Sequence, residues 1–423
     1  MHTIKELRAF IILWLTQTFS ALGSSMTSFA LSIWLYQDSG SALQTALLTV
    51  CSYAPYVIMS IFAGAISDKW NKKSIMLICD SFAALCTITA LVLLRTGTLA
   101  VWHLYVLNAL NGLMNTVQSP ASDVAATLLT PEKHYQKTSA MRYFSNSVVS
   151  ILTPVLAAAI VSLAGIEAVI AFDLLTFAAA FLVLLLFIRI PPIEQKNKAS
   201  ETLLQSARSG LSYLRQNKGI LWLILFLSSI NLISSFNNAA LPAMVLSKTD
   251  ETTLGIVSSC TGIATLIGSV IATFFPKPQS RSRVICNCLL FSMGTENFIL
   301  ALSTGVLPWS IAVVCGWILI PLMGANYDVL FRSNVPKEMQ GRVYSVRNTL
   351  QFFTIPLGYF LGGLLVDKVF EPLMARISAE HPLTILFGSG KGSGAAMLFF
   401  LLGIAGTLSC LLFRRIRAIR ELG

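Results

Sequence analysis

The chain has 423 residues, 55% hydrophobic and 12% charged, with a mean hydropathy of +0.72. A soluble domain carries roughly 25% charged residues, so this composition excludes a soluble globular protein and points to an integral membrane protein. The net charge of +11 would suggest nucleic acid in a soluble chain, but in a membrane protein Lys and Arg collect on the cytoplasmic face, and no nucleic-acid partner is expected.

The first apolar run, about 10–36, is too long for a signal-peptide core and lacks a clear cleavage site, so it reads as a first span. In chain order, twelve runs reach the ~20 residues a membrane helix needs. They cover about 9–36, 43–66, 74–94, 100–128, 139–164, 168–189, 219–246, 253–275, 284–303, 307–331, 344–366 and 394–413. Strand alternation is absent, which argues against a membrane barrel. With the N-terminus inside, 25 of the 30 Lys and Arg fall on the cytoplasmic side and 5 outside. That asymmetry predicts an even number of spans with both termini cytoplasmic. The expected fold is an all-α membrane protein of twelve transmembrane helices in two pseudo-symmetric six-helix halves, 1–190 and 219–423, joined by a cytoplasmic linker at 191–218.

Inside the linker, "LLQSARSGLSYL" puts Leu203, Leu204, Ala207, Leu211 and Leu214 on one helical face, the pattern of an interfacial helix. The outer stretch "GSGKGSG" at 388–394 lacks phosphate-loop spacing and a preceding strand, so it reads as a flexible linker. The eight Cys lie in apolar runs, and the four His sit at span ends or in loops. No metal, no cofactor and no nucleophile–base arrangement is expected, so the chain does not read as an enzyme.

One polar interruption occurs twice. "DVAATLLTPEKHYQKTSAMR" runs from Asp123 to Arg142, and "DVLFRSNVPKEMQGRVYSVR" from Asp328 to Arg347, 205 residues on. Each follows the fourth span of its half and predicts a turn in which the Pro ends one helix and basic residues open the next. Asp123 with Arg142, and Asp328 with Arg347, are expected to tie helices together, within a half or across the halves. Two parallel six-span repeats are the pattern of major facilitator transporters.

The loop between spans two and three, "GAISDKWNKK" at 64–73, resembles the signature of that superfamily. Gly64, Asp68, Lys69, Lys72 and Lys73 match, Ile66 replaces Leu, and Asn71 replaces a Gly. The stretches "ISDKWNKKSIMLICD", "AFDLL", "RIPP", "LRQNKG" and "GRVYS" are similar to Mef-type macrolide efflux transporters and their siderophore-exporting relatives. The resemblance implies a plasma-membrane exporter of amphipathic small molecules exchanged for protons, a role in antibiotic resistance, and a cytoplasmic gate at Asp68 and its lysines. Span four departs from the drug/proton pattern: "NALNG" at 108–112 has Asn108 where an Arg would stand. The span-five pattern is degraded to "TPVLAA" at 153–158.

Polar side chains within a bilayer usually face a bundle interior or a wet cavity. Three stripes recur at helical spacing: Asn108, Asn111, Asn115 and Gln118 in span four; Gln17, Ser20, Ser24 and Ser28 in span one; Asn231, Ser234, Ser235, Asn237 and Asn238 in span seven. The expected cavity set is Gln17, Ser24, Met26, Asn108, Asn111, Asn115, Asn231, Phe236, Asn238 and Trp317, with interhelical hydrogen bonding as the competing role. Glu296, Asp80 and Asp173 are the candidate proton carriers. The expected partners are a small amphipathic substrate, protons and lipid, with a monomer as the working unit. A lysophospholipid flippase and a siderophore exporter are the alternatives within transport. A transport-fold receptor or scaffold is the alternative outside it.

Overall fold

A computed structural model describes residues 6–131, 134–191, 203–276, 278–378, 380–420 and 422. Within helices, the side chains of 60–69, 135–137, 139–140, 143, 203–207, 332, 337–342 and 344–345 fall outside the described set. All regular structure among the described residues is helical. Helices α1 (Arg8–Ser39), α2 (Ala42–Lys69), α3 (Lys72–Arg95), α4 (Val101–Leu128), α5 (Tyr135–Ala164) and α6 (Ile166–Phe187) stand where the first six spans were expected. Helix α7 (Leu203–Gln216) lies in the linker, followed by α8 (Lys218–Lys248), α9 (Glu251–Phe274) and α10 (Arg281–Leu302). Span ten is broken into α11 (Val306–Trp317) and α12 (Ile320–Asn334). Span eleven comprises α13 (Lys337–Phe352), α14 (Thr354–Leu365), a π-turn (Val366–Phe370) and α15 (Glu371–Ala375). Then come α16 (Pro382–Phe387), α17 (Ser393–Arg415) and α18 (Arg417–Arg420).

Among the described residues, eleven stretches are long and apolar enough to cross a membrane. The remaining expected span is α4, which at 28 residues has ample length. Its amides, Asn108, Asn111, Asn115 and Gln118, are what dilute its apolar character.

Two compact units divide the chain: Met1–Leu35 with Cys51–Lys198, and Tyr36–Val50 with Ala199–Gly423. In the first, Leu22, Met26 and Ala30 of α1 pack on Ala157 of α5 and Val169 of α6. Leu13, Met76, Ala125, Leu184 and Ile188 join α1, α3, α4 and α6 at one end. Small residues set the closest approaches, as expected where van der Waals packing drives membrane helix association. A Cβ at Gly112 of α4 would collide with the Ser52 carbonyl of α2, and one at Gly23 of α1 would collide with Thr176 of α6.

In the second unit α10 packs along α17, α14 along α8, and α9 along α11. The break in span ten falls where Gly268 of α9 admits the Ile318 carbonyl, and Pro321 starts the continuation, α12. The linker helix docks on this unit: Leu214 is fully buried, and the Tyr213 hydroxyl donates to the Asn334 carbonyl at 2.9 Å. Burial pushes the Tyr213 phenol up. Leu211 stays exposed, while the side chains of Leu203, Leu204 and Ala207 lie outside the described residues.

Two segments differ from the sequence reading. The glycine-rich stretch is a defined turn, with Gly388, Gly390 and Gly392 at φ of 83°, 80° and 89°, a region that favours glycine. Span eleven does not stop near residue 366; the wider π-turn carries it on to Ala375.

These close approaches predict that Gly112→Ala destabilises by about 1–3 kcal/mol through overpacking. Gly324→Ala, whose Cβ meets nothing within 4 Å, should leave the melting temperature of the detergent-purified protein unchanged. Thermal unfolding of the two variants side by side checks this.

Candidate functional site

In each unit one polar cavity gathers residues named from the sequence. The second-unit cavity, about 160 Å³, is enclosed by α8, α10, α11 and α12. From α8 come Asn231, Ser234, Asn237 and Asn238; from α10 Ser292, Glu296 and Asn297; and from α11 Trp317. Met293, Met323 and aliphatic side chains complete an apolar wall, and among the described residues no Lys, Arg or His lines it. Four residues named from sequence, Asn231, Asn238, Trp317 and Glu296, therefore share one cavity.

Glu296 is 5% exposed. Its carboxylate lies against Gly316, where any Cβ would collide with it, and within hydrogen-bonding reach of the Trp317 indole. A carboxylate in such a place is costly as a bare anion unless it meets a cation or takes a proton. Beside it the amides are locked. Asn237 Nδ2 donates to Asn297 Oδ1 at 3.0 Å, both residues being buried, and Asn231 Nδ2 donates to the Gln351 carbonyl at 3.4 Å. Asn297 escaped the sequence reading; its adjacency to Glu296 deep in one apolar helix was the available signal. Phe236 does not line the cavity: its backbone abuts Gly362 of α14 instead.

The first-unit cavity, about 220 Å³, is lined by Trp14, Gln17, Ser122, Arg142, Ser145 and Asn146 among others. The Trp14 indole donates to the Met141 carbonyl at 3.1 Å and lies 3.2 Å from Ser145 Oγ. The other residues named for this half go elsewhere. Ser24 donates to Asp173 Oδ1 at 3.0 Å, tying α1 to α6. Met26 is wholly buried in the core of α1, α5 and α6. Asn108 donates to its own helix at the Leu104 carbonyl, 2.9 Å away. The Asn111 Oδ1 is enclosed with no partner among the described residues, and Asn115 is exposed. Asp80 accepts from the Gln118 amide, joining α3 to α4. Of the three acids named as candidate carriers, Glu296 lines the second-unit cavity, while Asp80 and Asp173 join neighbouring helices.

At the signature, the side chains of Gly64, Asp68 and Lys69 lie outside the described residues. Lys72 is buried, with its Nζ 3.2 Å from the Trp70 carbonyl. The Lys73 Nζ donates to the Leu185 and Ile188 carbonyls at 2.9 and 2.8 Å. It thus satisfies the orphan carbonyls at the end of α6 and complements its dipole. The repeated turns diverge. Arg142 pairs with Asp123 between α4 and α5. Arg347 lies over the rings of Tyr327 and Phe331, at 5.7 and 5.2 Å, and bonds to Asn348 Oδ1; Asp328 is exposed.

No three of His, Cys, Asp and Glu converge among the described residues. In the second-unit cavity the helices bring together amides, hydroxyls and the Glu296 carboxylate. A sequence model described as Major Facilitator Superfamily matches residues 13–359. The chain belongs to that superfamily. It is 25% identical to macrolide efflux protein A of Streptococcus pyogenes, the alignment covering 85% of this chain and 90% of the relative. To the multidrug efflux pump Tap of Mycolicibacterium fortuitum it is 23% identical, over 82% and 86%. Among solved structures, a bacterial homologue of the iron transporter ferroportin matches with TM-score 0.71 at 16% identity, covering 97% of this chain and 98% of that one. A bacterial homologue of the lysosomal transporter Spinster matches with TM-score 0.72 at 13% identity, covering 96% and 95%. These structures share the fold. The superfamily chain is a multi-pass membrane transporter, not an enzyme.

Removing one partner of a buried amide pair leaves the other unsatisfied, at about 1–3 kcal/mol. Asn237→Ala should destabilise by that much, and adding Asn297→Ala should cost less than the sum of the two single changes. A double-mutant thermal unfolding series measures it.

Proposed function

We propose that this transporter exports a macrolide-like amphipathic molecule across the plasma membrane in exchange for protons, by alternating access of its two six-helix halves. The observation that carries the proton part is Glu296, a buried carboxylate in a cavity that no basic residue lines among the described residues. A proton and a cation are the two species that relieve such a group, and a proton reaches it most readily through a small polar cavity. The amide and hydroxyl side chains of Asn231, Ser234 and Asn238 supply neutral hydrogen bonding, while Trp317, Met293 and Met323 supply apolar contact. An amphipathic substrate asks for that mixture. The efflux relatives support the direction and the class of cargo. An anionic siderophore fits less well, since the single charge in this cavity is negative. The 25 to 5 distribution of Lys and Arg supports cytoplasmic termini, and Asp68 with Lys69, Lys72 and Lys73 is assigned to the cytoplasmic gate. The protein is taken to work as a monomer.

Proteoliposomes carrying an imposed pH gradient test this with a macrolide as cargo. The parent protein should accumulate macrolide against its gradient. Glu296→Gln should lose at least tenfold of that gradient-driven accumulation while still exchanging macrolide across a membrane with no pH difference. Export by the parent that ignores the pH gradient would sink the antiport. An intact gradient response in Glu296→Gln would remove Glu296 from it.

A further inference from the structure

Span eleven ends with two acids four residues apart, each capping the start of a different helix. Asp367 sits in the π-turn and Glu371 directly follows it. Asp367 Oδ1 accepts the Ala42 N–H at 3.0 Å, and Oδ2 accepts the Leu43 N–H at 2.9 Å. The Ser41 hydroxyl donates to Oδ2 as well, while Ser41 Oγ accepts the Gln44 N–H at 3.1 Å. Asp367 thus completes, from another helix, the N-terminal cap of α2. Glu371 does the same for α17, accepting the Gly392 and Ala395 N–H groups at 3.0 and 3.2 Å.

Three further observations bear on what this is for. First, π-turns are rare and concentrate at functional sites; this one closes with the Glu371 N–H on the Val366 carbonyl. Second, the Asp367 contact borders a cavity of about 340 Å³, whose lining includes Tyr36, Gln44, Lys368 and Lys391 and, from the other cap, Glu371 and Gly392. The contact is thus polar and reachable by water rather than sealed in a core. Third, Tyr36–Val50 groups with the second unit although most of α1 and α2 groups with the first. Both helices change membership along their length, and Asp367 holds the turn at which they do so. The two caps differ in this respect, since Glu371 and the α17 terminus both belong to the second half of the chain.

We propose that Asp367 is a latch. Its contact with Ser41, Ala42 and Leu43 holds the α1–α2 turn on span eleven and breaks each time this end of the transporter opens. The Glu371 contact with α17 persists through the cycle. Both are positioning residues. The inference rests on the alternating-access reading above, but not on the cargo or on proton coupling.

Spin labels at Asp38→Cys and Arg376→Cys, both exposed positions, report the separation of the two sides of the latch. Measurement is by pulsed dipolar spectroscopy on the full-length protein in nanodiscs, without substrate. A sample lacking the two added cysteines corrects for the eight native ones, all buried or half-buried. Adding Asp367→Asn should raise the long-distance population at least threefold. Ser41→Ala, which removes one of the three donors, should give an intermediate rise, and Glu371→Gln should match the parent. An unchanged distribution in Asp367→Asn overturns the latch, including the case where only its melting temperature falls, since that marks a purely structural cap. An equal rise in Glu371→Gln overturns it too. Because no cargo is present, failure of the macrolide or antiport assignment would leave this result standing, and the reverse.

Discussion

In hydrocarbon no water is available to complete a backbone hydrogen bond, so each helix must satisfy its own peptide groups and have its ends satisfied by something else. That constraint accounts for much of what this chain does with its few polar residues. The Asn71 side chain accepts from the Lys73 and Ser74 N–H groups at the start of α3. Asp250 accepts the Thr253 N–H at the start of α9, and that bond holds its carboxyl below the usual range. Lys73 covers the last carbonyls of α6, and Asp367 and Glu371 cover the first amides of α2 and α17. Lys73, one of the charges that read in the sequence as an orientation signal, is thus also a helix cap.

The same constraint sorts the polar residues by how their hydrogen bonds are filled. A side chain that bonds to a neighbouring helix is a rivet. Asp173 with Ser24 and Asp80 with Gln118 are of this kind, tying α6 to α1 and α3 to α4. Glu296 has the Trp317 indole on one side, the Gly316 backbone on another and a cavity on the third. Its neighbours Asn237 and Asn297 bond to each other, which fixes the wall without filling the cavity.

The fold was legible because composition and hydropathy suffice for it: runs of about twenty apolar residues can only be helices in a bilayer. The α4 amides show that a span can be recognised by its place in the series even when its own hydropathy is weak. The site was legible only as stripes. Helical periodicity says that Asn231 and Asn238 share a side of α8, but not which helix that side meets; for Asn108 and Met26 it meets their own unit. The pairing of Asn237 with Asn297, 60 residues apart, and the π-turn that extends span eleven depend on tertiary packing, which no local pattern encodes.

The repeated stretch illustrates what sequence likeness does and does not transmit. Asp123 and Arg142 form an ion pair whose side chains are about half exposed, at 54% and 43%. Such a pair is worth about 0–1 kcal/mol. At the matching place Arg347 rests on Tyr327 and Phe331, an arrangement worth about 0.5–2 kcal/mol depending on how dry it is. The reason for the difference is local. Phe331 lies three residues after Asp328, whereas the corresponding position in the first half is Ala126, which offers no ring. The two halves therefore keep the backbone turn and its basic flank, set by Pro131 and Pro336, but secure it with different chemistry. Both fastenings are modest, neither worth more than about 2 kcal/mol, so the repeated turn does not depend on one particular pair.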